Sequence, residues 1–173
     1  MEQELLKQFY LGDENAFSLL YSKHAKGALL TAASILGSAN DAEDCVQEAF
    51  CRAYMYRAQY NSAYPFEAWF YKILLNICRR KRYKLVNKSI NEADEEALQY
   101  LAAQDTGARY TELYEAIQSL SHRHRECIVL KYLCGFSEKD IAQILKTNQN
   151  TVKSRLFKSR AALRKKLGEE DLQ

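Results

Sequence analysis

Apolar side chains recur at three-and-four spacing along most of the chain. Ala42, Cys45, Val46, Ala49, Phe50 and Ala53 line one face of a predicted helix. Ser38-x-x-Asp41 marks its start, because the hydroxyl and the carboxylate can take up free amides of the first turn. A second stripe follows Pro65: Phe66, Trp69, Phe70, Ile73, Leu74 and Ile77. Proline suits a first helical position, where the amide hydrogen it lacks would have no partner. Upstream, Phe17, Leu20, Ala28, Ala32 and Ile35 form a looser stripe that Gly37 ends. These stripes predict three helices packed together over about residues 5–84, with Trp69 in their core.

Residues 89–110 carry no long stripe. They are rich in Asn, Glu, Ala and Gln, include Gly107, and read as a linker with a transient helix around 93–101. Leu113, Ile117 and Leu120 begin a new helical pattern, and Cys127, Ile128, Leu130 and Leu133 make the next. Ser137-x-x-Asp140 is a further capping box, before a short stripe of Ile141, Ala142 and Leu145. Lys146-Thr147-Asn148 then leads into a long helix with Val152, Leu156, Leu163 and Leu167 inward and Asn148 as its N-cap. A short helix, a tight polar turn and a longer basic helix make a helix-turn-helix.

The fold class that follows is all-α: two small helical domains joined by a flexible linker. The first, of three to four helices, takes residues 1–88; the linker takes 89–111; the helix-turn-helix domain takes 112–173. One proline and six glycines are too few breakers for a turn-rich sandwich or barrel. The longest apolar stretch, 27–37, is too short to cross a membrane, so no direct membrane insertion is expected. The acidic start, Met1-Glu2-Gln3-Glu4, lacks the basic-then-apolar plan of a signal peptide, which points to a cytoplasmic protein. Five cysteines, at 45, 51, 78, 127 and 134, include no C-x-x-C pair and read as buried or half-buried thiols rather than disulfides or metal ligands.

Charge sharpens the picture. The chain holds 25 Lys and Arg against 22 Asp and Glu, a net charge of +3. Residues 1–50 carry net −5, 51–88 net +8, 89–118 net −6 and 119–166 net +9. Two basic blocks around an acidic spacer suggest two contacts with a polyanion. In a helix-turn-helix the second helix enters the DNA major groove, N-terminal end first. Here that end offers Gln149, Asn150, Thr151, Lys153, Ser154, Arg155 and Lys158. Asn and Gln suit adenine and Lys or Arg suit guanine. Arg160, Arg164, Lys165 and Lys166 lie further along, where phosphate contact or solvation fits better.

Two rival readings account for less of the chain. A stand-alone helix-turn-helix repressor explains 112–167 but leaves the basic, aromatic neighbourhood of Trp69 without a role. An enzyme lacks support: His122 and His124 flank Arg123, His24 stands alone, and no carboxylate pair, zinc spacing or Gly-rich phosphate loop accompanies them. No catalytic residue, metal or cofactor is expected.

Taken in order, three segments resemble those of the bacterial extracytoplasmic-function (ECF) RNA polymerase sigma factors. Ala42-Glu43-Asp44-Cys45-Val46-Gln47-Glu48-Ala49-Phe50 is similar to the family's core-binding helix in region 2. Phe66-Glu67-Ala68-Trp69-Phe70-Tyr71-Lys72-Ile73, with Asn76, is similar to its promoter-melting helix. Residues 120–167, containing Thr151-Val152-Lys153-Ser154-Arg155-Leu156-Phe157-Lys158, are similar to region 4. The chain departs from the family in having Arg79-Arg80 for an isoleucine-aspartate pair, His24 for an aromatic, Ser121 for a proline and Asn150 for a glycine.

The resemblance implies an alternative sigma factor that directs core RNA polymerase to promoters. Asp44, Gln47 and Glu48 would dock on the polymerase clamp, where carboxylates opposite a basic coiled coil set orientation and on-rate. The loop Tyr60, Asn61, Ser62 and Tyr64 would capture a base flipped from the −10 element. Tyr71, Lys72, Asn76, Arg79, Arg80 and Arg82 would line the same surface. Gln149, Asn150, Thr151, Lys153, Ser154, Arg155, Phe157 and Lys158 would hold the −35 element, with Phe157 expected to pack on its own core rather than on a thymine methyl. The partners implied are core polymerase, promoter DNA and an anti-sigma factor, commonly membrane-bound.

Overall fold

A computed structural model of the chain describes residues 2–86 and 107–168. Every regular element among the described residues is a helix, and none is a strand. The N-terminal half holds α1 (Glu2–Leu11), α2 (Glu14–Leu36), α3 (Ala39–Met55) and α4 (Phe66–Val86); a single 3₁₀ turn, Arg57–Gln59, opens the loop between the last two. The C-terminal half holds α5 (Gly107–Gln118), α6 (His122–Ile128), a π turn (Val129–Leu133), α7 (Glu138–Leu145) and α8 (Gln149–Leu167).

Four helices build the first half, one more than the three apolar stripes marked. The break lies at Gly12, whose φ of 91° bends the chain, and at Asp13, whose carboxylate accepts the Ala16 N–H at 2.7 Å and caps α2. Tyr54 on α3 ties the bend down by donating its hydroxyl to the Gly12 carbonyl at 2.9 Å. This folds α1 back and buries Phe9, which sits edge-on to Phe66 with ring centroids 5.6 Å apart. The other ends follow the local signals. Gly37 closes α2 at φ 73°, and the Ser38 hydroxyl accepts the Asp41 N–H at 3.2 Å. Pro65 lies one residue before α4, its carbonyl accepting the Trp69 N–H at 3.3 Å. The inward stripes pack as expected, and Trp69 is half-buried against the core.

In the second half α5 begins at Gly107, so residues 107–111 are helix rather than linker; the helix expected around 93–101 lies outside the described residues. Leu113 is exposed and Tyr114 and Ala116 are buried in its place. Leu133, expected inward, is 47% exposed. The π turn explains this, because one extra residue per turn rotates the stripe beyond Leu130. Ser137 and Asp140 form the reciprocal capping box of α7, and Asn148 caps α8 by accepting the Thr151 N–H at 2.7 Å.

The two halves pack on each other through one continuous apolar core. Tyr71 of α4 meets Phe136 edge-on at 5.3 Å, and the Thr31 hydroxyl lies 3.2 Å from the Cys134 sulfur. Arg125 of α6 donates to the Ile35 carbonyl at the end of α2 (2.9 Å) and to Leu120 (3.1 Å), closing carbonyls that have no helical partner. Gln118 donates to Ser34 O at 2.6 Å. Arg79 of α4 forks onto Glu126 of α6, Nε to Oε1 and Nη2 to Oε2, both at 2.7 Å. Glu126 is 1% exposed, so this bidentate pair is what allows a carboxylate to be buried there.

Candidate nucleic-acid interface

The helix-turn-helix places its candidates on one open face. Gln149, Asn150, Lys153, Ser154, Phe157 and Lys158 are exposed, with Thr151 and Arg155 half-buried beside them, while Val152, Leu156, Ser159 and Leu163 turn inward. The face follows from a polar three-and-four spacing set against the buried stripe. Phe157 is 70% exposed, which corrects the expectation that it packs on the core: it stands between Lys153 and Lys158 on the basic face, not under Leu156. An aromatic ring held out among cations is suited to apolar contact with a groove edge.

The same face continues onto α6. Ser121, Arg123 and His124 join Asn148, Asn150, Thr151, Ser154, Arg155 and Lys158 in lining one shallow groove of about 610 Å³. The Ser121 hydroxyl and His124 Nδ1 lie 2.6 Å apart. Burial, and then the nearby Arg155 and Lys158 charges, hold His124 below its usual pKa of 6.5. Arg123 and His124 were absent from the sequence-based set. The signal available was membership of the basic block, but only the packing of α6 on α8 brings them to the groove.

The α4 surface is divided. Asn61, Ser62, Tyr64, Asn76 and Arg80 are exposed, and Lys72 and Arg82 half-buried. Tyr60 is 8% exposed: its ring packs on Phe66 and Trp69 and its hydroxyl donates to the Tyr64 carbonyl at 2.9 Å. It anchors the loop rather than presenting a free ring. Tyr71 is also buried, in the contact with the second half, and burial pushes its phenol well above the usual range. Arg79 is bound to Glu126, and the loop and Lys72 face α7 across a cleft that Gln143 and Ile144 close.

On α3, Asp44 and Gln47 are exposed and Glu48 half-buried. The carboxylates are already paired with α4: Glu48 with Arg80, Asp44 with Lys81 at 3.2 Å, and Asp41 with Lys81 at 2.9 Å, while Arg52 of α3 itself also pairs with Glu48. Arg80, then Arg52, hold Glu48 below the usual carboxylate range. Arg80 therefore screens the acidic ridge. Gln47 and Glu43 flank a separate groove with Tyr21 and Lys26.

All five cysteines are free thiols; Cys45, Cys78 and Cys127 are buried, Cys134 half-buried and Cys51 exposed, the last unlike the expectation for the set. Among the described residues no cluster of His, Cys, Asp and Glu could hold a metal, and no helix is long and apolar enough to cross a membrane.

The sigma-70 region 2 family model matches residues 20–85, and the sigma-70 region 4 model matches residues 110–163. The ECF RNA polymerase sigma factor SigW of Bacillus subtilis (strain 168) is 30% identical, over 96% of this chain and 97% of that one. The RNA polymerase sigma-H factor of Pseudomonas aeruginosa is 27% identical, over 96% and 93%. Among solved structures, the sigma factor RpoE of Bartonella quintana, in complex with the anti-sigma factor NepR, superposes with a TM-score of 0.75 at 26% identity, covering 90% of this chain and 98% of that one. A helical pair carrying sigma-70 regions 2 and 4 in this order is an RNA polymerase initiation factor. The chain belongs to the ECF RNA polymerase sigma factors, and as an alternative sigma factor it directs RNA polymerase to promoter DNA.

Proposed function

We propose that residues 1–88 bind core polymerase and open the −10 element, that 89–106 tether the halves, and that 107–173, whose first helix begins at Gly107, read the −35 element. The single observation that carries the third assignment is the open face of α8, where six exposed candidates stand together with the half-buried Arg155 beside them. Lys153, Ser154, Arg155 and Lys158 reach base edges from the first three turns of α8, and Phe157 offers an apolar contact. Arg123 and His124 follow the adjacent phosphates. Asp44, Gln47 and Glu48 meet the polymerase clamp. Asn61, Ser62 and Tyr64 handle the melted strand; Lys72, Asn76, Arg80 and Arg82 follow its phosphates. Tyr60 acts through the loop it anchors.

This reading requires the halves to part. Tyr71 and Arg79 are engaged by the C-terminal half, so they serve DNA only after that contact opens. Two separate contacts on a tether also measure promoter spacing and raise effective concentration. The factor works in the cytoplasm, carries out no chemistry of its own, and is restrained by an anti-sigma partner, an inference supported by a relative solved with one bound.

The test is run-off transcription by the chain with core polymerase on a promoter library. Lys153→Ala is expected to lose −35 preference and Asn61→Ala to lose melting, each by about tenfold, since one good contact is worth roughly 1–3 kcal/mol. Unchanged transcription in both would remove the named roles. Specific binding of duplex promoter DNA without polymerase would favour the repressor reading instead.

A further inference from the structure

We propose that the cleft between α1 and the loop after α3 is a nucleotide subsite that stacks one unstacked base of single-stranded promoter DNA on Tyr10. It rests on the reading that the loop handles melted DNA and adds a wall the loop does not contain. The cleft encloses about 820 Å³. Gln3, Lys7 and Tyr10, spaced four and three apart, bring one face of α1 to it, and Asn61 and Ser62 face them from the loop.

The chemistry of the two walls is that of a nucleotide. The Tyr10 ring is 47% exposed and offers a flat stacking surface. The buried Tyr60 cannot do so, and Tyr64 lies on the opposite side of the loop with Trp69 and Lys72. Asn61 Oδ1 accepts the Ala63 N–H at 2.9 Å, which fixes the carboxamide and leaves its two amide hydrogens for acceptors on a base edge. Gln3 and Ser62 add groups that both donate and accept. Lys7 is the only charged residue lining the cleft and suits a phosphate at the rim, and no lining residue is acidic. A ring, amides and one cation match a base with its phosphate.

The cleft is also held open. Phe9 on α1 and Tyr60 on the loop each pack edge-on against the same ring, Phe66, at 5.6 and 5.8 Å. Both walls are therefore referenced to one buried side chain. Tyr54 holds the Gly12 bend at one end of α1, and Lys23 pairs with Glu2 at the other. A site fixed in this way loses little entropy when a base enters.

The test uses the full chain with core polymerase on a library with randomised −10 and −35 elements, reading transcripts by sequencing. Tyr10→Ala is expected to lower yield about tenfold, the effect of losing one base–aromatic stack, and to flatten preference at a single −10 position with −35 preference intact. Tyr10→Phe keeps both, because the ring and not the hydroxyl does the stacking. Lys7→Glu, an exposed change that leaves the fold undisturbed, is expected to lower yield without changing base preference. Wild-type behaviour in both Tyr10→Ala and Lys7→Glu, with −10 selectivity lost in Asn61→Ala, would overturn the α1 subsite and leave the loop reading standing. No −10 effect in any of the variants, Asn61→Ala included, would overturn the loop reading and this inference together.

Discussion

His24 shows how much one buried side chain can impose. It is 9% exposed, tilted against the Phe66 ring at 5.6 Å, with Nε2 3.7 Å from Glu67. Burial lowers its pKa from 6.5; Glu67 and Glu2 oppose this shift and Lys23 adds to it. The unfolded chain then takes up a proton near pH 6.5 that the folded chain refuses, so stability falls as pH drops through that value. Thermal melting from about pH 7.5 to about pH 5.5 should show this decline, and His24→Gln, which cannot titrate, should reduce it, the remainder coming from His122 and His124, which burial also holds below 6.5. Glu48 does not confuse the measurement, because a carboxylate held low by Arg80 loses its contribution only below its ordinary value of 4.5. An undiminished slope in His24→Gln would assign the decline to other groups.

At the scale of elements, caps were readable from sequence and packing registers were not. Ser38, Ser137 and Asn148 each accept the backbone amide three residues on, because capping involves only neighbours along the chain. The signal for the α1–α2 break, Gly12-Asp13, was equally local, yet the stripe from Phe17 onward masked it. The π turn left no local signal; it appears where Val129 and Leu130 are buried while Leu133 is turned out. Asn148→Ala should cost about 1 kcal/mol and weaken −35 use, since the first turn of α8 carries Gln149, Asn150 and Thr151. Asn148→Ser should restore both, and −10 melting should not change. Chemical denaturation and transcription from −35 variants measure the two effects; an unaltered denaturation midpoint in Asn148→Ala would show the cap to be dispensable.

The whole molecule is organised by the contact between its halves. Arg79, at the basic end of α4, supplies the cation that a buried Glu126 needs. Removing each partner should have unequal effects. Arg79→Ala strands a carboxylate that is 1% exposed, at about 3 kcal/mol, or a fall of roughly 6–12 °C in Tm. Glu126→Gln leaves Arg79, 37% exposed, free to meet water, and should cost about 1.5 kcal/mol. Small-angle scattering should show Arg79→Ala expanded relative to the wild type. Equal melting temperatures and unchanged dimensions in both variants would mean that the pair does not hold the halves together.

The amino-acid order alone determined that the chain is helical, where most helices start and stop, that a basic recognition helix follows a tight turn, and that two cationic blocks flank an acidic spacer. Each of these rests on interactions within a few residues along the chain, or on sums of charge, and so needs no knowledge of the fold. Tertiary structure decided what distant residues do to one another. It buried Tyr60 and Tyr71, turned Phe157 outward, carried Arg123 and His124 to the groove beside α8, and set Tyr10 across from Asn61. It also spent Arg79 on Glu126, 47 residues away. Exposure and pairing depend on which faces meet across such separations, and helical periodicity specifies a face without specifying its partner.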